Sequence, residues 1–170
     1  MAEGCLWFAA YTRPNCEALV AKQLDKKGIP FFLPRIPVRS RRNERLVYVE
    51  KPLFRSYVFA QSRTDPDSLI KVYRTYGLIY ILGRNGKPEP VPDEDIDSIR
   101  IFVAQKPNEI RVYHHLVKGE KAVVASGPLK GAVGIIMERR DKKKELVISL
   151  ELMKRSVAVT LAEDEVDPIG

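Results

Sequence analysis

Three sets of residues hold the chain's candidates for covalent or metal chemistry. His114 and His115 are its only histidines, Cys5 and Cys16 its only cysteines, and Asp93, Glu94, Asp95 and Asp97 form a close run of acids. Adjacent side chains in an extended segment point apart, so the two imidazoles do not converge on one proton or one ion and read as a solvated pair. The cysteines have neither CxxC nor Cys/His spacing, which leaves reduced thiols rather than a zinc site. The acids follow Pro92 at the start of a helical pattern, where negative charge suits the macrodipole. No nucleophile elbow, P-loop, HExxH pair or dinucleotide fingerprint occurs. Nothing anchors an enzymatic reading, and no cofactor or metal is expected.

What remains is contact chemistry. The formal charge of +7 points to a polyanionic partner. Arg35, Arg39, Arg41, Arg42 and Arg45 bunch together, either as a solvated loop that protects a sheet edge or as a loop that tracks phosphates. The stretch Pro52-Leu53-Phe54-Arg55-Ser56-Tyr57-Val58-Phe59-Ala60 has strand composition. From Tyr57 onward a period of two puts Tyr57 and Phe59 on one face and Val58 and Ala60 on the other. Helices can cover one apolar face, and the aromatic face is then either more core or a docking surface. A second aromatic cluster runs from Trp7 to Tyr11.

The elements that must position these residues follow from pattern and punctuation. Leu6 to Tyr11 reads as a strand, and Asn15 caps a helix with Cys16, Leu19, Val20 and Leu24 on one side and Gly28 at its end. Ile29 to Val38 is extended but broken by Pro30, Pro34 and Pro37, and Arg45 to Val49 returns as its hairpin partner with Arg41 and Arg42 near the tip. After a strand over Phe54 to Ala60, Asp65-Pro66 starts a second helix with Leu69, Ile70 and Tyr73 as its apolar stripe. Gly77 ends that helix, Leu78 to Leu82 forms a strand, and Gly83 to Gly86 a turn. A third helix carries Ile96, Ile99 and Val103 inward. Strands in hairpins with interspersed helices imply an α+β sandwich on a mainly antiparallel sheet.

Residues 105–117 are polar, contain Pro107 and precede a change to all-β patterning, so they are expected to link two domains, 1–104 and 118–170. In the second domain short apolar strands at 121–125, 133–137, 146–150 and 157–161 alternate with glycine-rich or charged turns, as in a small barrel. No run is long and apolar enough for a membrane span, and the first residues lack a signal-peptide pattern, so the expected location is cytoplasmic.

The segment Gly119 to Gly134, strand, sharp turn and strand, resembles the KOW motif of SH3-like barrels. Trp7 to Asn15, Phe32-Leu33-Pro34, Pro52 to Phe59 and Pro90-Val91-Pro92 resemble the N-terminal domain of NusG-family transcription elongation factors. Together they cover nearly the whole chain. The resemblance implies an N-terminal (NGN-type) α/β sandwich followed by a KOW barrel, acting without catalysis and as a monomer. It implies docking on the β′ clamp helices of RNA polymerase, with Tyr11, Phe54, Tyr57 and Phe59 at the apolar docking positions, Trp7 beneath them, and a β-subunit contact around Ser68 to Lys71. Such docking suppresses pausing. Non-template DNA would meet Arg13, Lys22, Thr75 and Tyr76, with Arg41 and Arg42 as further nucleic-acid contacts. Leu129 matches the position by which family barrels bind a small-subunit ribosomal protein or Rho. Arg55-Ser56, where the housekeeping factor usually has Pro-Gly, and Leu152 to Val157 resemble instead the specialised RfaH and UpxY paralogues that act on particular long operons. A specialised antiterminator is therefore preferred to the general factor. The alternative from a different class is a KOW-type RNA-binding or ribosome-associated protein whose active part is the barrel, with Arg139, Arg140, Lys142, Lys143 and Lys144.

Overall fold

The computed structural model describes residues 3–162; Met1, Ala2 and residues 163–170, which include the end of the range expected for the barrel, lie outside the described residues. In chain order the elements begin β1 (Leu6–Thr12), α1 (Glu17–Lys26), β2 (Phe31–Phe32), β3 (Arg35–Arg42), β4 (Arg45–Pro52), β5 (Tyr57–Ser62), α2 (Pro66–Tyr73) and β6 (Leu78–Ile81). They continue with β7 (Gly83–Arg84), β8 (Lys87–Pro88), α3 (Asp93–Gln105), β9 (Arg111–Tyr113), β10 (Lys121–Val123), β11 (Val133–Glu138), β12 (Lys144–Leu150) and β13 (Arg155–Thr160). The fold is the expected mixed α+β arrangement of helices and antiparallel sheets, with a β-rich C-terminal part. Two compact units divide it: Met1–Arg35 with Pro52–Asp93, and Ile36–Lys51 with Glu94–Gly170.

In the first unit the sheet order is β2-β5-β1-β6, and every pairing is antiparallel. The register Phe8↔Ala60 and Ala10↔Val58 puts the even residues of β1 and β5 on one face. There Phe8, Val58 and Ala60 pack with Val20 and Leu24 of α1, Val72 of α2 and Ile81 of β6. Burying each of the larger side chains contributes about 1.5–3 kcal/mol.

Local signals set where these elements start and stop. Asp65 caps α2 as expected: its Oδ1 accepts from the Ser68 amide at 2.9 Å and its Oδ2 from the Ser68 hydroxyl. Those two bonds hold the Asp65 carboxyl below its ordinary range. Asn15 does not cap α1. It sits in the left-handed region at φ +60°, Cys16 takes the cap position without a side-chain bond, and Glu17 turns inward instead. A Cβ on Gly77 (φ +91°) would press against Val20 and Cys16 at 3.1 and 3.3 Å, so glycine is demanded there twice over. The strand expected from Phe54 begins only at Tyr57, because Ser56 at φ +65° breaks the extended run.

In the second unit β3 and β4 pair as a hairpin whose tip, Asn43-Glu44, has positive φ at both residues, the two-residue turn that matches strand twist. A five-stranded antiparallel sheet follows in the order β10-β11-β12-β13-β9. Two boundaries differ from expectation. The stretch read as a linker supplies β9, which pairs Tyr113 with Ser156 and Val112 with Val157; three alternating residues are too few to announce a strand in sequence. Beyond it, the Val117 amide donates to Ser149 Oγ at 3.0 Å and Ser156 Oγ donates to the His115 carbonyl at 2.8 Å. Helix α3, expected to close the first domain, is bonded to strands of the second unit. Ser98 Oγ accepts from the Val133 amide at 2.8 Å, Lys106 Nζ donates to the Thr160 carbonyl at 2.9 Å, and Glu94 pairs with Lys121.

Candidate functional site

The period-two rule that sends Phe8 and Val58 under the helices sends Tyr11 and Tyr57 to the opposite face of the first unit's sheet. Register then aligns them. Tyr11 lies directly across from Tyr57 on β5 and from Tyr80 on β6. The Tyr11 and Tyr57 rings meet edge-on with centroids 5.3 Å apart, and Tyr11 and Tyr80 stack at 5.0 Å. Tyr11 and Tyr57 are half-buried, while Tyr80 is 45% exposed. Three strands thus present a row of tyrosines with the most exposed, Tyr80, on the edge strand β6. Rings with few rotatable bonds and a polar tip make contact at low entropic cost.

Beside this row lies a second, of phenylalanines. Phe32 is paired with Phe59 and stacks on it at 6.0 Å, and Phe54 meets Phe59 edge-on at 6.0 Å. Here the expectation from sequence needs correction. Phe54 (2% exposed) and Phe59 (0%) are interior side chains and offer no surface to a partner, whereas Trp7 is buried as expected. Of the four expected docking rings only Tyr11 and Tyr57 reach the surface, and Tyr80, absent from that set, joins them. Alternation marked Tyr80 as a strand residue, but only the pairing of β6 with β1 puts it beside Tyr11.

The loop between β4 and β5 is tied to the start of α1. Glu17 is buried and its Oε1 accepts from the Ser56 amide at 2.7 Å. At the end of β1, the exposed Arg13 guanidinium lies 5.7 Å over the Tyr76 ring, itself 65% exposed, and the Arg13 amide donates to the Gly77 carbonyl. This brings together two of the residues expected at DNA. A third is corrected: Thr75 is 3% exposed, and its hydroxyl accepts from Lys27 Nζ at 3.1 Å while that amine also donates to the Lys71 carbonyl. Thr75 therefore orders a lysine that sequence did not single out. Lys22 is exposed on α1, and Arg41 and Arg42 are exposed at the end of β3.

In the barrel, Leu129 is also corrected. It is wholly buried beneath the turn that Gly127 begins, so its side chain belongs to the barrel interior. Asp95 is buried at the start of α3, and its carboxyl is pushed up to about 6, chiefly by loss of solvent and further by Glu94 and Glu151, against the pull of Lys121. Among the described residues no group of three or more histidines, cysteines, aspartates or glutamates is arranged to hold a metal ion, and no helix is long and apolar enough to cross a membrane.

Comparison with known proteins adds the following. Residues 6–100 match the family described as NusG, transcription termination factor. The chain is 22% identical to the transcription termination/antitermination protein NusG of Rickettsia bellii (strain RML369-C) over 94% of its own length and 88% of the relative's. It is also 22% identical to the protein of that name from Synechocystis sp. (strain ATCC 27184 / PCC 6803 / Kazusa), over 95% of this chain and 88% of the relative. Among solved structures, that of Thermotoga maritima NusG superposes with a TM-score of 0.54 at 20% identity, covering 98% of each chain.

Proposed function

The chain belongs to the NusG family of transcription termination and antitermination factors, and from that membership we propose that it binds RNA polymerase at the β′ clamp helices through the tyrosine row of its first unit, suppressing pausing. One observation carries this reading: Tyr11, Tyr57 and Tyr80 align across three adjacent strands with their rings partly exposed, beside the buried and mutually packed Phe54 and Phe59. Partly desolvated tyrosines are the side chains that anchor protein interfaces. The exposed Arg13–Tyr76 pair supports contact with the non-template strand, an aromatic face for a base beside a cation for phosphate. A β-subunit contact is proposed for the Ser68 to Lys71 turn of α2.

The protein acts, on this reading, as a monomeric cytoplasmic factor without catalysis. It is a specialised, operon-specific member rather than the housekeeping factor. Support for that choice is the Arg55-Ser56 pair, where a residue with a side chain occupies a left-handed position, together with Leu152 to Val157. The barrel recruits a further partner, a small-subunit ribosomal protein or Rho, by a surface that does not include the sealed Leu129.

The test is affinity for purified core RNA polymerase. Tyr80→Ala, the most exposed of the row, is expected to weaken binding at least ten-fold with an unchanged melting temperature. Wild-type affinity in that variant would end the clamp-helix reading. Phe54→Ala serves as the contrast, since loss of a buried ring costs about 3–5 kcal/mol of stability.

A further inference from the structure

We propose that the acidic segment 163–170, which follows the last described strand, docks in cis in a groove of the barrel between β9 and the turn that joins β11 to β12, and so masks that groove from other partners. This goes beyond clamp-helix docking and does not depend on it. The groove is a cavity of about 440 Å³. Tyr113 and His115, whose rings stack with centroids 5.4 Å apart, line it together with Val117, Val147 and Met137, the last 40% exposed. An open apolar lining of this kind gains by being covered.

Strand register brings the root of the segment to the groove. β13 runs antiparallel to β12 with Thr160 across from Glu145, which also lines the cavity, and the Leu161 amide donates to the Lys144 carbonyl at 2.9 Å. The chain therefore leaves the barrel beside the turn that carries Arg139, Arg140, Lys142 and Lys143. Cations stand around that exit. Lys106 Nζ donates to the Thr160 carbonyl at 2.9 Å, and Arg111 and Arg139 share the Glu145 carboxylate at 3.2 and 3.4 Å. Glu145 is 3% exposed and accepts from the Tyr113 hydroxyl as well, so its charge is met within the barrel. Asp141 pairs with Arg139 at 3.3 Å. Arg140, Lys142, Lys143 and Lys144 remain exposed along the turn.

The composition of the segment is the complement of this surface. Glu163-Asp164-Glu165-Val166-Asp167-Pro168-Ile169-Gly170 carries acids at 163, 164, 165 and 167, no lysine or arginine, and aliphatic side chains at 166 and 169. Its carboxylates answer the exposed cations of the turn, and Val166 and Ile169 answer the apolar lining. Eight extended residues span roughly 26 Å, and little of that reach is needed when Thr160 already lies opposite a residue of the groove. Tethering favours this occupant over a second copy of the chain. A short flexible connection gives an effective concentration on the order of mM, so exposed ion pairs that hold separate molecules only weakly suffice to fill the groove from within.

The experiment compares methyl NMR spectra of the full chain with those of the charge-neutralised variant E163Q/D164N/E165Q/D167N. Neutralisation is expected to move the methyl signals of Val117, Met137 and Val147, and added salt should move the wild-type signals toward the variant's. A synthetic peptide of the sequence 163–170, titrated into the variant, should move the same signals back. Its apparent affinity for the wild type should be weaker by about five-fold or more, because the tethered segment competes. Arg140→Gln, placed in the neutralised variant, is expected to weaken the peptide about three-fold or more, and Lys130→Gln, an exposed cation outside the cavity, to leave it unchanged. The proposal is overturned if the three methyls coincide in wild type and variant, if the moving signal is instead that of Leu46 on the arginine-rich hairpin, or if the difference grows with protein concentration, which would make the occupant a second copy. Affinity for purified core RNA polymerase is read separately through Tyr80→Ala, so failure here and failure of clamp-helix docking are distinguishable.

Discussion

Ser56 holds φ at +65° with a Cβ in place, and its amide is fixed by the buried Glu17 carboxylate at 2.7 Å. The left-handed conformation costs an L-residue about 1–2 kcal/mol; glycine removes that cost, and the more flexible unfolded chain it creates cancels part of the gain. Ser56→Gly is therefore expected to raise stability by about 0.5–1 kcal/mol in urea titrations. Glu17→Ala leaves that amide without its acceptor and should lower stability by about 1–3 kcal/mol in the same assay. Residue types along 52–60 were legible from sequence, and so was the face each would take. Burial was not. Alternation assigns Tyr57 and Phe59 to one side of β5, but whether a ring on that side is sealed depends on which elements cover it, and Phe59 at 0% and Tyr57 at the surface differ by two residues only.

Elements were read well where the signal was local. The Asp65 cap and the hairpin of β3 with β4 follow from side chains within a few positions of the boundary, whereas α2, expected to run to Gly77, already ends at Tyr73 with Arg74 as its cap. Those that depend on a distant partner were not read. β9 lies in the stretch expected to be a linker, since its three residues become a strand only by pairing with β13. Glycine in the KOW-like segment illustrates a requirement that sequence hinted at and packing explains: a Cβ on Gly134 would lie 2.7 Å from the Val147 carbonyl oxygen and 3.1 Å from the Leu146 side chain. Backbone cannot yield there without loosening the β11–β12 pair. Gly134→Ala is expected to destabilise the protein by about 2–3 kcal/mol, visible as early loss of amide protection in β11 and β12 by hydrogen exchange.

For the molecule as a whole, the buried Asp95 links stability to pH. Its carboxyl titrates near 6 in the folded protein against 3.8 ordinarily. Between those values the unfolded chain releases a proton that the native state retains, so this group makes stability fall as pH rises through the window and then level off above about 6. With the attraction of Lys121 already acting on that carboxyl, the fall across the window is about 3 kcal/mol. Asp95→Asn should remove that slope in denaturation curves taken at pH 4, 5, 6 and 7, and should be the more stable form at pH 7. An unchanged slope would place the titrating group elsewhere.

The partition of the chain carries one more consequence. Ile36–Lys51 belongs with Glu94–Gly170, although Met1–Arg35 and Pro52–Asp93 on either side of it belong together. A ribosome delivering the protein from its first residue would release that arginine-rich hairpin well before the helix and barrel that complete its unit. Leu46 and Tyr48 of β4 are 64% exposed even in the folded protein, with Arg39 of β3 against the Tyr48 ring, so the hairpin's own charge must keep it soluble both then and later.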